Sequence, residues 1–184
     1  RDFRIRPAEG LLDTCTGQTQ FSTTRDDWGN WFGCSNPRPM FHFVLTDSYL
    51  RRNPHSAAPG STTTVAPNTG RVYPRSRLMP RFNDQHAANR FTSANGLTFY
   101  RDKLLGPGYY GNAFVSEPVH NLVHRIVLDP KGITFSSHRA SGEERSEFLA
   151  SSDNWFRPTM IRTGPDGALW IADMYRGVIE HPQY

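Results

Sequence analysis

The stretch RFNDQHAANR, residues 81–90, is one of two places where side chains suited to acid–base chemistry crowd together. Asp84 and His86 could form an acid–base pair in which the carboxylate orients the imidazole. Histidine is the first candidate for a general base because its ordinary pKa is close to neutral pH. The alternative is a solvated loop that is held by salt bridges. The other polar side chains, as candidate contacts for a substrate or cofactor, are Arg81, Asn83 and Arg90.

The second place is the stretch EPVHNLVHR, which contains two histidines and a glutamate. If it is a β-strand, His120 and His124 share one face and flank Leu122. We expect His120 as a candidate catalytic base, and Glu117, Asn121 and His124 as candidate binding residues. Two histidines and a carboxylate can also ligate a metal, but the spacing does not define a geometry, so no metal site is predicted. The alternative is a histidine at a corner of the chain, hydrogen-bonded to the backbone.

Further candidate binding residues lie near the end of the chain. Arg157 stands between an aromatic residue and a proline in the stretch WFRP. Asp173 and Arg176 follow the last apolar run, and Asp173 could cap a turn or pair with Arg176. The stretch GPDG, residues 164–167, predicts a β-turn, and it lacks the alternating aspartates of a calcium loop.

The composition argues against some functions for these residues. The chain has 184 residues with 21 basic and 17 acidic side chains, and its net charge of +4 is dispersed, which argues against a nucleic-acid groove. No run of eighteen apolar residues is present, so no membrane span is predicted. Cys15 and Cys34 are expected as partly buried thiols. A disulfide between neighbouring strands is the alternative, and it would need an oxidising compartment.

Short apolar runs separated by turns recur along the chain, and the 29 Gly and Pro residues argue against long helices. The segment 51–80 is rich in Pro, Ser and Thr and is predicted as a loop insertion, either a surface excursion or a binding loop. One or two helical turns are predicted at 142–150. The predicted hairpins and strands are 2–17 with a turn at Pro7–Gly10, 40–45, 97–100, 112–117, 120–140 with a turn at DPKG, and 159–180.

The pattern predicts an all-β fold in which an apolar strand, a polar corner and another apolar strand recur about three times. Propeller blades are built in this way. We therefore expect residues 1–184 to be a fragment of a single β-propeller domain, about three to four blades of a larger, six-bladed ring, whose last hairpin belongs to a blade with absent neighbours. The tryptophans are expected in the core and between blades, with a sugar-stacking platform as the alternative: Trp28, Trp31, Trp155 and Trp170.

Six motifs spread over almost the whole chain carry a resemblance to a known family: CTGQTQFSTTRDDWGNWFGCSNPRPMFHFVL, RRNP, RFNDQHAANRFTSA, EPVHNLVHR, SEFLASSDNWFRP and GPDGALWIADMYRGVIEHP. Together they resemble the membrane-bound dehydrogenase family of the PVC-type, heme-binding CxxCH proteins. The resemblance implies an exported, periplasmic or extracellular propeller of the sugar-dehydrogenase type. It also implies oxidation of a sugar or alcohol, with electrons passed to a c-type cytochrome.

In that chemistry a base takes the hydroxyl proton while a quinone cofactor, similar to PQQ, accepts the hydride. The resemblance gives the base role to a histidine and the quinone contacts to arginines. Arg157 is similar to the arginine of an Arg-Asn-Pro corner that contacts quinone, although the asparagine is missing here. The chain has no CxxCH, so heme c is expected only in a domain outside it.

A second function is compatible with the same fold, because propellers host both enzymes and binding proteins. It is a non-catalytic scaffold that binds carbohydrate or a protein partner. A third interpretation is a truncated product without a function of its own.

Overall fold

A computed structural model describes residues 2–55, 60–66, 70–78 and 89–179. The described chain is all-β, as predicted: antiparallel sheets with short 3-10 turns and one four-residue α-helix. None of the helices in these ranges has the length and apolar character that a membrane crossing requires.

The chain opens with a two-stranded hairpin, as predicted. Strand β1, Phe3–Arg6, pairs antiparallel with β2, Leu11–Thr14. A 3-10 turn over Pro7–Glu9 joins them, and Gly10 closes it with φ 63°, a backbone angle that favours glycine.

Four strands form the first larger sheet, each antiparallel to the one before it in the chain. They are β3 Thr23–Arg25, β4 Trp31–Ser35, β5 Arg38–Phe43 and β6 Thr62–Ala66. The helix α1, Asp47–Leu50, lies between β5 and β6. The segment 51–80, predicted as a loop insertion, therefore contains the fourth strand of this sheet.

The second larger sheet also follows the order of the chain. Its strands are β7 Asn95–Phe99, β8 Ala113–Glu117, β9 Leu122–Lys131 and β10 Thr134–His138, and β11 Leu149–Ala150 pairs with the start of β9.

The predicted hairpin at 120–140 is confirmed, but its turn lies at residues 132–133, because Thr134 pairs with Lys131. The predicted helix at 142–150 is wrong. Turns and then β11 occupy that segment, and its leucine and alanine extend the edge of the sheet.

A last hairpin is formed by β12, Pro158–Thr163, and β13, Leu169–Asp173. The predicted GPDG turn is confirmed, because the Gly167 N–H donates to the Gly164 carbonyl at 3.0 Å.

The second sheet is buried on both faces along β7, β8 and the first half of β9, whereas the end of β9 and β10 are partly exposed. On β8, Ala113 and Val115 belong to a core cluster shared with the first sheet, whereas Phe114 belongs to a cluster with Ile161 of β12. Successive side chains of a strand point to opposite faces, so the apolar residues at successive positions of β8 belong to two different cores. The first sheet, the second sheet and the last hairpin are therefore stacked in chain order.

The two cysteines are free thiols, as expected, and they form no disulfide. Cys34 is fully buried in the core between the two sheets, and burial raises the pKa of its thiol to about 12.

Candidate functional site

Glu117 and His120 form a buried pair at the end of β8. Glu117 Oε2 accepts the backbone N–H groups of Thr92 at 3.0 Å and Ser93 at 2.9 Å. His120 Nε2 accepts the N–H of Asn89 at 3.0 Å, and its Nδ1 lies 3.4 Å from Glu117 Oε1. The His120 residue is 2% exposed. Both side chains thus hold the backbone of residues 89–93, which agrees with the alternative of a structural histidine.

The expectation that His120 and His124 flank Leu122 on one strand face is wrong. Pro118 begins a 3-10 turn that contains His120, and Asn121 ends it in the left-handed region with φ 58°. The strand starts only at Leu122. The two histidines consequently have different partners.

Asn121 is buried at this corner and joins it to the next loop. Its Nδ2 donates to the carbonyl oxygens of Asn154 at 3.1 Å and Phe156 at 2.5 Å. Asparagine tolerates the left-handed conformation better than most residues, and its amide satisfies two carbonyls there. These contacts are structural.

Arg157 is 4% exposed, and backbone carbonyls surround its guanidinium group. Nη1 donates to Pro118 at 2.8 Å and Val119 at 3.4 Å, Nε donates to Arg176 at 3.0 Å, and Nη2 donates to Gly177 at 2.6 Å. Arg157 therefore connects the corner after β8 to the segment after β13. Because its donors already serve these carbonyls, the residue does not fit the quinone contact that the resemblance implies.

Asp173 acts as a cap, one of its two predicted roles. Its Oδ1 accepts the N–H groups of Arg157 at 2.7 Å and Tyr175 at 2.9 Å. The exposed Arg176 contributes its carbonyl to the Arg157 contact, and it forms no ion pair with Asp173.

His124 belongs to a second buried network. Its Nδ1 lies 2.7 Å from Glu147 Oε2, and Glu147 Oε1 accepts Arg139 Nη2 at 3.0 Å and the N–H of Tyr73 at 2.9 Å. Burial alone would raise the pKa of Glu147, but the hydrogen bonds and charges of His124 and Arg139 outweigh burial and hold this pKa below its ordinary value of 4.5. The carboxylate thus fastens the segment around Tyr73 to β9.

A cavity of about 520 Å³, hereafter the Arg cavity, lies next to this network. Its lining includes residues 71–76, Leu78, Asn89, 145–147 and Ala150. Glu147 and Asn89 connect its wall to the His124 and His120 networks, respectively.

Another cavity, of about 690 Å³, lies at the turn between β3 and β4 and is hereafter the Trp cavity. Its wall carries Trp28, which is 82% exposed, and Trp31, which is 50% exposed. The other lining residues are Thr23, Thr24, Arg25, Asp26, Asp27, Gly29 and Arg101. The expectation that the tryptophans fill the core is wrong: all four are exposed, and none belongs to either core cluster.

Asp26 fixes the turn that presents these indoles. Its Oδ1 accepts the N–H groups of Trp28 at 3.0 Å and Asn30 at 2.8 Å, and its Oδ2 accepts Asn30 Nδ2 at 2.7 Å. The guanidinium carbon of Arg25 lies 5.9 Å from the centre of the Trp31 ring, within cation–π range.

Asp27 and Arg101 supply fixed charges in the Trp cavity. Asp27 Oδ1 lies 2.5 Å from Arg101 Nε, and Oδ2 accepts the hydroxyl of Tyr110 at 2.9 Å. Arg101 also donates to the carbonyl of Arg25. The hydrogen bonds from Arg101 and Tyr110 hold the pKa of Asp27 below its ordinary value, so the carboxylate is ionised at neutral pH.

Four predicted site residues, Arg81, Asn83, Asp84 and His86, lie outside the described residues. Arg90 is described and exposed, and it forms an isolated antiparallel bridge with Arg71. Across the described ranges, no group of three or more His, Cys, Asp and Glu side chains is arranged to hold a metal ion.

The comparisons with known proteins give one match. It is the family described as "Domain of unknown function (DUF7133)", which matches residues 1–184. Neither the curated proteins nor the solved structures gave a match. Because the match spans the full sequence, this chain belongs to the DUF7133 family.

Proposed function

We propose that this chain is a carbohydrate-binding portion of a β-propeller and that the Trp cavity binds the sugar. The observation that carries the proposal is the exposure of Trp28 and Trp31 beside a cavity at a turn fixed by Asp26. Exposed apolar side chains that line one concave surface are candidates for a ligand contact, because a bound ligand removes their apolar surface from water. The apolar face of a pyranose packs flat against an indole, gaining dispersion contacts and burying apolar surface.

The charged side chains in the same cavity can form hydrogen bonds with sugar hydroxyls. Asp27 is an ionised acceptor, and Arg25 and Arg101 are donors on the same wall. A sugar hydroxyl can donate to the carboxylate while it accepts from a guanidinium group. Stacking would give affinity, and these polar groups would select the orientation of the hydroxyls.

The propeller part of the proposal is supported by the order of the strands. Two larger sheets follow the chain order strand by strand, as propeller blades do, and the second is covered by the first on one face and by the last hairpin on the other. Propellers have about four to eight blades, so the ring would need sheets beyond those described.

We keep sugar or alcohol oxidation in an exported protein as the second candidate function. It is supported by the family resemblance of the motifs and by the acid–base pair predicted at Asp84 and His86. Bound quinone would accept the hydride. Among the described residues, Arg157 is committed to backbone carbonyls and His120 to a buried network, so neither supports this function. Electrons would pass to a c-type cytochrome.

A glycan screen with the purified chain, followed by calorimetric titration of the best sugar, tests the binding proposal. Trp28→Ala should weaken binding about tenfold or more, because stacking on one aromatic ring contributes on the order of 1–3 kcal/mol for planar ligands. Trp28→Phe should retain part of the affinity. Trp155→Ala is the control, since Trp155 is also exposed but lies outside the Trp cavity. Equal affinity of the wild type and Trp28→Ala would reject the site.

A separate assay addresses oxidation. The chain is supplied with PQQ, an artificial electron acceptor and a panel of sugars, and dye reduction is followed. Turnover that His86→Ala abolishes while the fold is retained supports the enzyme. Sugar binding without turnover supports the non-catalytic scaffold.

A further inference from the structure

The wall of the Arg cavity carries three arginines that form no ion pair within the described parts of the chain. Arg71, Arg75 and Arg145 are all exposed, and no carboxylate of the described residues lies within 4.0 Å of their guanidinium nitrogens. An ordinary solvated face mixes both signs of charge. Three positive charges around one concave surface therefore attract anions.

The acidic residue on this wall does not neutralise the three arginines. Glu147 is buried and accepts hydrogen bonds from Arg139 and the N–H of Tyr73, and its other oxygen lies 2.7 Å from His124. Its negative charge is thus compensated by Arg139 and by these hydrogen bonds on its buried side. Among the residues that the structure describes, the exposed part of the wall therefore keeps the positive charge of the arginines.

The part of the wall around Arg71 and Tyr73 has a fixed backbone. Tyr73 is held by Glu147, and Arg139 donates to the carbonyl of Arg71. The guanidinium carbons of Arg71 and Arg139 lie 5.4 Å and 4.9 Å from the centre of the Tyr73 ring. A ligand that binds here meets a surface that is already ordered at Arg71 and Tyr73, which lowers the entropy lost on binding.

We propose that the Arg cavity binds a small molecule that carries a carboxylate or sulfate group, such as an acidic sugar. The guanidinium group matches the planar geometry of a carboxylate and donates two parallel hydrogen bonds to an oxyanion. The volume of about 520 Å³ is within the range of small-molecule sites. This proposal does not depend on sugar binding in the Trp cavity.

Calorimetric titrations of the full chain at low salt test the proposal with three probes: D-glucuronate, glucose 6-sulfate and neutral glucose. The two acidic probes distinguish a carboxylate site from a sulfate site. The variants are Arg75→Gln and Arg145→Gln. Arg77→Gln is the matched control, because Arg77 is exposed and close in sequence but is not part of the cavity wall.

We expect at least one acidic probe to bind about tenfold or more tightly than glucose in this cavity. Each cavity variant should lose about tenfold in affinity for it, as expected for one charge-assisted contact. Arg77→Gln should bind as the wild type does. The proposal is overturned if neither acidic probe binds, or if Arg77→Gln weakens binding as much as the cavity variants, which would indicate nonspecific charge attraction. Circular dichroism of each variant verifies that the fold is retained.

Discussion

The corner after β8 and the Trp cavity differ in what their polar groups do. At the corner, the side chains of Glu117, His120 and Arg157 are buried and bonded to backbone groups. In the Trp cavity, Trp28 and Asp27 stand on an exposed turn where a ligand can reach them. The dense polar motif at the corner thus has a structural role, whereas the polar groups that a ligand can reach lie in the Trp cavity.

The largest effect on stability is expected from Arg157→Ala. The substitution leaves the carbonyls of Pro118, Val119, Arg176 and Gly177 without this donor. We expect a loss on the order of 3 kcal/mol in the free energy of unfolding, measured by urea denaturation, because each buried unsatisfied group costs about 1–3 kcal/mol. Arg176→Ala is the control and should change stability by less than about 0.5 kcal/mol. An Arg157→Ala variant with the free energy of unfolding of the wild type would show that the corner does not depend on this residue.

The next effect is expected from the Glu147 network, and it depends on pH. Because the pKa of Glu147 is held below 4.5 in the folded state, its stabilisation is fully present above pH 4.5. It is lost as the pH falls through the lowered folded-state pKa. Glu147→Gln should lower stability by about 2 kcal/mol at pH 7 and flatten the acid limb of a stability–pH profile. Glu9→Gln, at an exposed position beside the first hairpin, is the matched control. If the acid limb of Glu147→Gln matched that of the wild type, the lowered pKa of Glu147 would not be the source of the pH dependence.

Substituting the two candidate bases, His120 and His86, distinguishes a structural role from a catalytic one. His120→Ala removes the acceptor for the Asn89 N–H and should lower the unfolding free energy by about 1–3 kcal/mol. His86→Ala should abolish dye reduction if the chain oxidises a sugar. A His120→Ala variant with wild-type stability but no turnover would restore His120 as a catalytic candidate.

The smallest effect on stability is expected from Trp28→Ala, because the side chain is 82% exposed. Its unfolding free energy should stay within about 0.5 kcal/mol of the wild type. A larger loss would mean that the indole packs against the protein rather than serving a ligand.

The hairpins were predictable because their signals are local. The alternation of Phe3 and Ile5 ahead of Pro7, and the turn residues of GPDG, define short-range structure that tertiary contacts do not override. The strands predicted at 97–100 and 112–117 overlap β7 and β8, because their apolar runs are also local signals.

Other features depend on distant contacts and could not be predicted in this way. Strand β6 exists because residues 62–66 pair with β5, although the surrounding sequence has the composition of a loop. The helix expected at 142–150 gives way to the β11–β9 pairing.

Within the candidate sites, the sequence predicted His120 as a base and Glu117 and Asn121 as binding residues, but their burial and hydrogen bonds to the backbone depend on the fold and could not be predicted from the motif. The Trp cavity had a signal in DDWGNW, where two indoles flank a Gly turn. The exposure of those indoles depends on packing that the pattern alone does not contain.

The central claim is that Trp28 and Trp31 form the ligand surface. One titration tests it: a two-dimensional ¹H–¹⁵N NMR spectrum in which the indole N–H signals of the four tryptophans are followed as the best sugar is added. We predict that the signals of Trp28 and Trp31 shift and those of Trp155 and Trp170 stay in place. Shifts confined to Trp155 or Trp170, or no indole shift under saturating sugar, would contradict the account.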